Sequence, residues 1–143
     1  IIRSSMYGFN TNENQSIAEW GARNLVMGRP INGFTDVLFN PLYSLQLADI
    51  LLQLVEKNMQ GTFHLGAKKT VSKYDFFRLL AKELNVDENL VKPVSVDTID
   101  FVAKRTKDTS LNIMKISEII DESNNLVAGI RQLVTDMRYY KRL

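Results

Sequence analysis

Gly61-Thr62-Phe63-His64-Leu65, followed after a short loop by Val71-Ser72-Lys73-Tyr74-Asp75-Phe76-Phe77, is the stretch that decides the fold. Residues 62–65 read as a brief buried strand. Ser72 then suits a helix N-cap, with Asp75 at the third helical position in a variant of the capping box. Val71 and Phe76 are spaced as a hydrophobic staple. Phe76, Phe77, Leu80 and Leu84 recur at helical spacing and form one apolar stripe. A short strand therefore feeds a well-started amphipathic helix.

The same alternation extends in both directions. Upstream, Ser44 opens a helix whose apolar residues Leu45, Leu47, Ala48, Leu51, Leu52 and Val55 cover a wide face, the pattern of a helix buried on more than one side. Residues 58–61 close it. A short strand is predicted over 34–39, broken by Asn40-Pro41. A helix is predicted over 16–27, with Ile17, Trp20, Asn24 and Leu25 at helical spacing, and Gly28-Arg29-Pro30 ends it. Residues 8–15 are Asn-rich and read as a loop, and residues 1–7 as a strand. Downstream, 91–96 reads as a strand in which Pro93 argues for a sheet edge. One helical turn is predicted over 98–103, and helices over 114–120 and 126–140. In the last helix Ile130, Leu133, Val134 and Met137 make a core-facing stripe. Strands and helices interleave without two regular βαβ halves. The fold class is α/β, either a small α+β unit or the second half of a larger α/β protein.

One domain is the expected organisation for 143 residues. The absence of cysteine excludes disulfide frameworks, cysteine-ligated zinc and thiol catalysis, and is compatible with a reducing, cytoplasmic location. The formal charge of +2, from 18 basic and 16 acidic residues, is too even to argue for a nucleic-acid partner. No apolar run approaches the roughly 20 residues that span a bilayer, so no membrane partner is expected. The chain opens on Ile1-Ile2-Arg3 as a strand already under way and reads as a piece of a longer protein.

The chemistry legible in the residues is sparse. No Gly-x-Gly-x-x-Gly follows a strand, and no tyrosine precedes a lysine by one helical turn. Neither cofactor binding nor hydride-transfer catalysis is therefore expected of this chain. His64, the sole histidine, reads as a half-buried side chain with one backbone partner, and one histidine makes no metal site. Arg105, in the polar run Lys104-Arg105-Thr106-Lys107-Asp108, has two readings. Its planar guanidinium could meet phosphate oxygens, with Lys104 or Lys107 adding charge. It could equally be part of a solvated loop, paired with a carboxylate such as that of Asp108.

The order of these motifs resembles the C-terminal, substrate-binding part of dTDP-4-dehydrorhamnose reductase and related nucleotide-sugar reductases and epimerases, the extended short-chain dehydrogenases. Ile2-Arg3-Ser4-Ser5-Met6-Tyr7-Gly8 is similar to that family's strand ending in Tyr-Gly. Asp36 to Pro41, Tyr43 and Leu47-Ala48-Asp49-Ile50-Leu51 resemble its Asp-to-Pro loop and the helix after it. Gly61 to Leu65 and Ser72 to Phe76 resemble its Gly-x-Tyr/Phe-His-Leu strand and capped helix. Arg105, Asp108, Leu111-Asn112 and Lys115 resemble its Arg-Pro … Leu-Asp-x-x-Lys segment. The likeness covers about residues 1–137. Departures are Thr106 for a usual proline, Gln46 for a common aspartate and Met6 near a frequent tryptophan.

The resemblance implies the substrate-side domain of a nucleotide-sugar reductase whose Rossmann half, glycine-rich loop and catalytic pair precede residue 1. It implies NADP or NAD in the full-length parent and none in this chain. The implied partners are a nucleotide sugar and the Rossmann half, with possible self-association through Trp20 or the 45–55 face. Arg105 is implied to approach the substrate diphosphate, and Phe39, Asn40 and Pro41 to border the nucleotide or sugar. A reductase-like regulatory subunit without catalysis, and a free-standing α+β adaptor, are the alternatives.

Overall fold

The computed structural model describes residues 1–10, 15–120 and 124–143, so part of the 8–15 loop lies outside the described residues. Strands β1 (Ile2–Ser4) and β2 (Met6–Tyr7) run end to end. Helix α1 (Ile17–Val26) follows, then β3 (Ile31–Phe34), β4 (Leu38–Phe39) and β5 (Leu42–Tyr43). Helix α2 (Ser44–Glu56), β6 (Phe63–Leu65), β7 (Val71–Ser72) and α3 (Lys73–Leu84) come next. Strand β8 (Val91–Val94) and helices α4 (Met114–Ser117) and α5 (Leu126–Tyr139) complete the chain. No described helix is long and apolar enough to cross a membrane.

Pairing is mostly parallel and long-range. β1 pairs with β6, with Ile2 opposite Phe63. One residue further the chain changes partner, and β2 pairs with β5, with Met6 opposite Leu42. β3 pairs in parallel with β8, placing Gly33 opposite Pro93. Among the described residues β8 has no second partner, which fits the edge position implied by Pro93. β4 and β7 are antiparallel, and Leu38 also bridges Asp108.

Helix α3 is the hub, packing on α1, α5, β3, β7 and β8. Its start forms as expected. The Asp75 amide donates to Ser72 Oγ at 3.0 Å, and the Ser72 hydroxyl donates to Asp75 Oδ2 at 2.7 Å. Phe76, Phe77, Leu80 and Leu84 are all buried. The Phe76 ring meets Tyr7, Phe39 and Phe77 at centroid distances of 5.0, 5.4 and 5.8 Å, so one side chain joins three elements. Two glycines allow these close approaches. A Cβ on Gly33 would lie 2.6 Å from the Tyr74 Cα, and one on Gly21 would lie 2.6 Å from the Phe77 ring. In α5 the stripe of Ile130, Leu133, Val134 and Met137 is buried as predicted.

Some expectations need correction. The strand predicted over 34–39 is reduced to β4 at Leu38–Phe39, with β3 lying upstream and ending at Phe34, and Asp36 between them turns to accept hydrogen bonds from Ser95 and Val96. The turn expected over 98–103 falls earlier, as a 3₁₀ turn at Val96–Thr98 started by Ser95. The helix expected over 114–120 ends at Ser117. Helix α2 is buried along one side only, through Leu47, Ile50 and Leu54. Leu45, Leu52 and Val55 are 51, 62 and 76% exposed, a bare apolar face.

Candidate functional site

The alternation of β3 decides which side chains face outward. Ile31 and Gly33 are buried, so Asn32 and Phe34 occupy the opposite face of the pleat. With Ile17 and Trp20 of α1, Phe77 of α3 and the segment around Phe101, they line a groove of about 640 Å³. That volume is suited to a nucleotide-sized ligand. The lining is mainly apolar and aromatic. Trp20 meets Phe77 edge to face at 5.8 Å, and Phe34 meets Phe101 at 6.2 Å. Of the residues at helical spacing in the helix predicted over 16–27, Ile17 and Trp20 are 40 and 41% exposed, and the core side of α1 is Ala18, Gly21, Ala22 and Leu25 with Glu19. Both residues line the groove.

Two cations line the same groove, Arg105 and Lys73. The Arg105 guanidinium lies 5.0 Å from the centre of the Phe101 ring. It has no carboxylate partner among the described residues. Asp108, the partner that a solvated loop would supply, instead accepts from the Ser110 amide at 2.8 Å and the Ser110 hydroxyl at 2.7 Å. Lys107 is different, because it pairs with Asp36 at 3.2 Å and also with Asp97. Asp36 thereby ties the end of β3, the 3₁₀ turn and the loop that carries Arg105. Its carboxyl is held down at about 2, first by the Ser95 hydroxyl and then by the Val96 amide.

Lys73 is the first residue of α3, half-buried, with Nζ 3.4 Å from the centre of the Phe39 ring. Its ammonium has no carboxylate partner among the described residues, and burial pushes its pKa down to about 8. A cation at a helix N-terminus opposes the helix dipole. That breach of a local rule was the sequence signal for this residue, and the capping reading of 71–77 passed over it.

The other expected site residues sit behind the wall. Phe39 is 2% exposed and covered by Lys73. The Asn40 carboxamide is fully engaged. Its Nδ2 donates to the carbonyls of Ala67 and Leu111 at 3.2 and 3.0 Å, and its Oδ1 accepts from the Leu111 amide at 2.9 Å. Pro41 is buried. Of the four, Arg105 alone lines the groove. His64 is half-buried opposite Arg3, and its imidazole makes no hydrogen bond to a described residue. No described cluster of His, Asp or Glu could hold a metal ion.

The model of the RmlD substrate binding domain matches residues 4–139. The chain belongs to the RmlD substrate-binding-domain family. Solved structures share this mixed α/β fold, in keeping with the α/β class read from the sequence. dTDP-4-dehydrorhamnose reductase from Bacillus anthracis, solved with NADP, superposes with a TM-score of 0.81 at 20% identity, over 95% of this chain and 48% of that one. UDP-N-acetylglucosamine 4-epimerase from Bacillus cereus gives 0.68 at 18% identity, over 96% of this chain and 45% of that one. Among curated proteins, a probable low-salt glycan biosynthesis reductase of Haloferax volcanii is 25% identical over 119 residues, 81% of this chain and 40% of that protein. The RmlD domain described here thus spans about half the length of the solved relatives that it matches.

One family departure has a structural role in this RmlD domain. Gln46 accepts the Tyr43 amide at the start of α2 at 3.2 Å and donates to the Asn125 carbonyl at 2.9 Å, linking α2 to α5. Thr106, the departure beside Arg105, lines the groove.

Proposed function

We propose that residues 1–143 form the substrate-binding domain of an NAD(P)-dependent nucleotide-sugar reductase, and that the groove between α1, β3 and α3 receives the nucleotide sugar. A cytoplasmic location accompanies this reading. The supporting observation is Arg105, a guanidinium without a carboxylate partner at an apolar, aromatic-walled groove of nucleotide size. Ring faces and apolar side chains suit a base and sugar, and a planar cation suits phosphate oxygens. Phe39 acts from behind by fixing Lys73, and Asn40 and Pro41 hold the wall in place. The nicotinamide cofactor belongs to the parent's other half, since no glycine-rich strand-turn-helix exists here. The bare face of α2 is the surface on which that half, or a second copy of the chain, would pack.

The kinetics of the full-length parent test this reading. A bidentate Arg–phosphate contact contributes roughly 1.5–3 kcal/mol. Arg105→Ala should therefore raise the Michaelis constant for the sugar nucleotide roughly 10- to 150-fold, with cofactor affinity and melting temperature unchanged. An unchanged Michaelis constant would return Arg105 to a solvated loop.

A further inference from the structure

Two charged side chains line a mainly apolar groove, and neither has a carboxylate partner among the described residues. Lys73 is half-buried, and a partly desolvated ammonium is unfavourable unless an anion joins it, whereas Arg105 is exposed at the mouth of the groove and free to meet one. Asp36 and Asp97 pair with Lys107 and Asp108 accepts from Ser110, while Asp100, next to Phe101 in sequence, forms no ion pair with Arg105. Lys73 and Arg105 approach the groove from different elements, the start of α3 and the loop after β8, and each rests on its own aromatic ring, Phe39 and Phe101. Those rings fix where the charges sit but do not neutralise them. One monoanion would satisfy one of them. A ligand with two linked anionic groups would satisfy both.

We infer that Lys73 is a second ligand-binding cation, and that it and Arg105 each hold one phosphate of a diphosphate lying across the groove. This rests on the nucleotide-sugar reading above and assigns a residue that the family resemblance did not mark. The start of α3 contributes as well. The Lys73 amide donates to the Val37 carbonyl at 3.0 Å, so the backbone that carries the side chain is fixed to the chain just before β4. The close approach of α3 to Gly33 holds the same turn against β3. The lowered pKa of Lys73 agrees with a site that lacks its anion. Binding of a phosphate should restore the proton, and Arg105 is the only other charged side chain that lines the groove among the described residues.

The experiment is a calorimetric titration of this chain with a nucleoside, its monophosphate, its diphosphate and a diphosphate-linked uronic acid, at pH 8 in two buffers of different ionisation enthalpy. Lys73→Met, Lys73→Arg and Arg105→Met are titrated beside the wild type. The wild type should bind the diphosphate at least tenfold more tightly than the monophosphate and take up protons as it does so. Lys73→Met should weaken diphosphate binding about tenfold, abolish the proton uptake and leave nucleoside affinity unchanged, while Lys73→Arg retains the affinity. Diphosphate affinity of Lys73→Met within twofold of wild type would overturn the inference and leave the groove reading intact. Loss confined to the uronic acid ligand would also overturn it, assigning Lys73 to a sugar carboxylate. Failure of the wild type to bind any of the four would remove the groove reading and the inference together. Lys73→Met loses a desolvated charge and is expected to fold, which circular dichroism checks.

Discussion

Replacing Lys73 by methionine should stabilise the protein while it weakens the ligand. The lysine is half-buried on the Phe39 ring with no counter-ion, and its pKa falls from 10.5 to about 8 through desolvation. At about 1.4 kcal/mol per pH unit, that depression corresponds to roughly 3 kcal/mol against the charged form. Lys73 keeps some contact with water, so screening reduces the figure to about 2 kcal/mol. The ring contact offsets about 1 kcal/mol of it. Methionine keeps most of the apolar stem, so the cavity contribution is small. The net gain is about 1 kcal/mol, or about 3–4 °C in melting temperature for a domain of this size. The pH dependence carries the sign. Because the folded pKa lies below the unfolded one, the folded chain binds fewer protons between about pH 8 and 10.5, and wild-type stability rises through that window. The advantage of Lys73→Met should be full below about pH 8 and gone near 10.5. Thermal denaturation of both proteins at pH 7 and pH 10 measures it. A destabilised variant at pH 7, or a difference that does not change with pH, would refute the reasoning.

Three further outcomes are expected. Asp36 titrates near 2 in the folded chain, below its usual 3.8, so its contribution is present above about pH 4 and is lost as pH falls toward 2. Asp36→Asn should loosen the loop bearing Arg105 at neutral pH, read as faster amide exchange at Val96 and Thr109, and unchanged exchange would contradict this. Gly33→Ala places a Cβ against the Tyr74 backbone, so it should destabilise the chain by about 1–3 kcal/mol and displace the start of α3, whereas a wild-type melting curve would count against that packing. The isolated chain should self-associate through Leu45, Leu52 and Val55 of α2, and a monodisperse monomer in light scattering at high concentration would refute it.

What the sequence revealed was local. Ser72 and Asp75 determine the start of α3 through contacts within one turn, and α5 shows its buried side in the spacing of Ile130, Leu133, Val134 and Met137. What it concealed depends on distant partners. The break between β3 and β4 follows from Asp36 reaching Ser95, 59 residues away. Ile17 and Trp20 sit at helical spacing yet face a groove, because small residues, Ala18, Gly21 and Ala22, pack against the rest of the domain instead. Arg105 was legible as a candidate, but its freedom from a counter-ion depended on Asp108 closing on Ser110. Lys73 was concealed by its neighbours, since a strong cap on either side made the whole segment read as structural. Phe39, Asn40 and Pro41 came from resemblance alone, and the fold places them behind the wall of the groove.

Trp20 is the sole tryptophan and lines the groove, so its emission reports ligand entry without a label. Titration of the chain with a nucleoside diphosphate sugar, excited at the red edge of tryptophan absorption to avoid the base, tests the central claim most directly. The expected result is a saturable change in Trp20 emission whose midpoint moves roughly 10- to 150-fold higher in Arg105→Ala. Emission that never saturates, or a midpoint unmoved by loss of Arg105, would contradict the assignment of this groove to a nucleotide sugar.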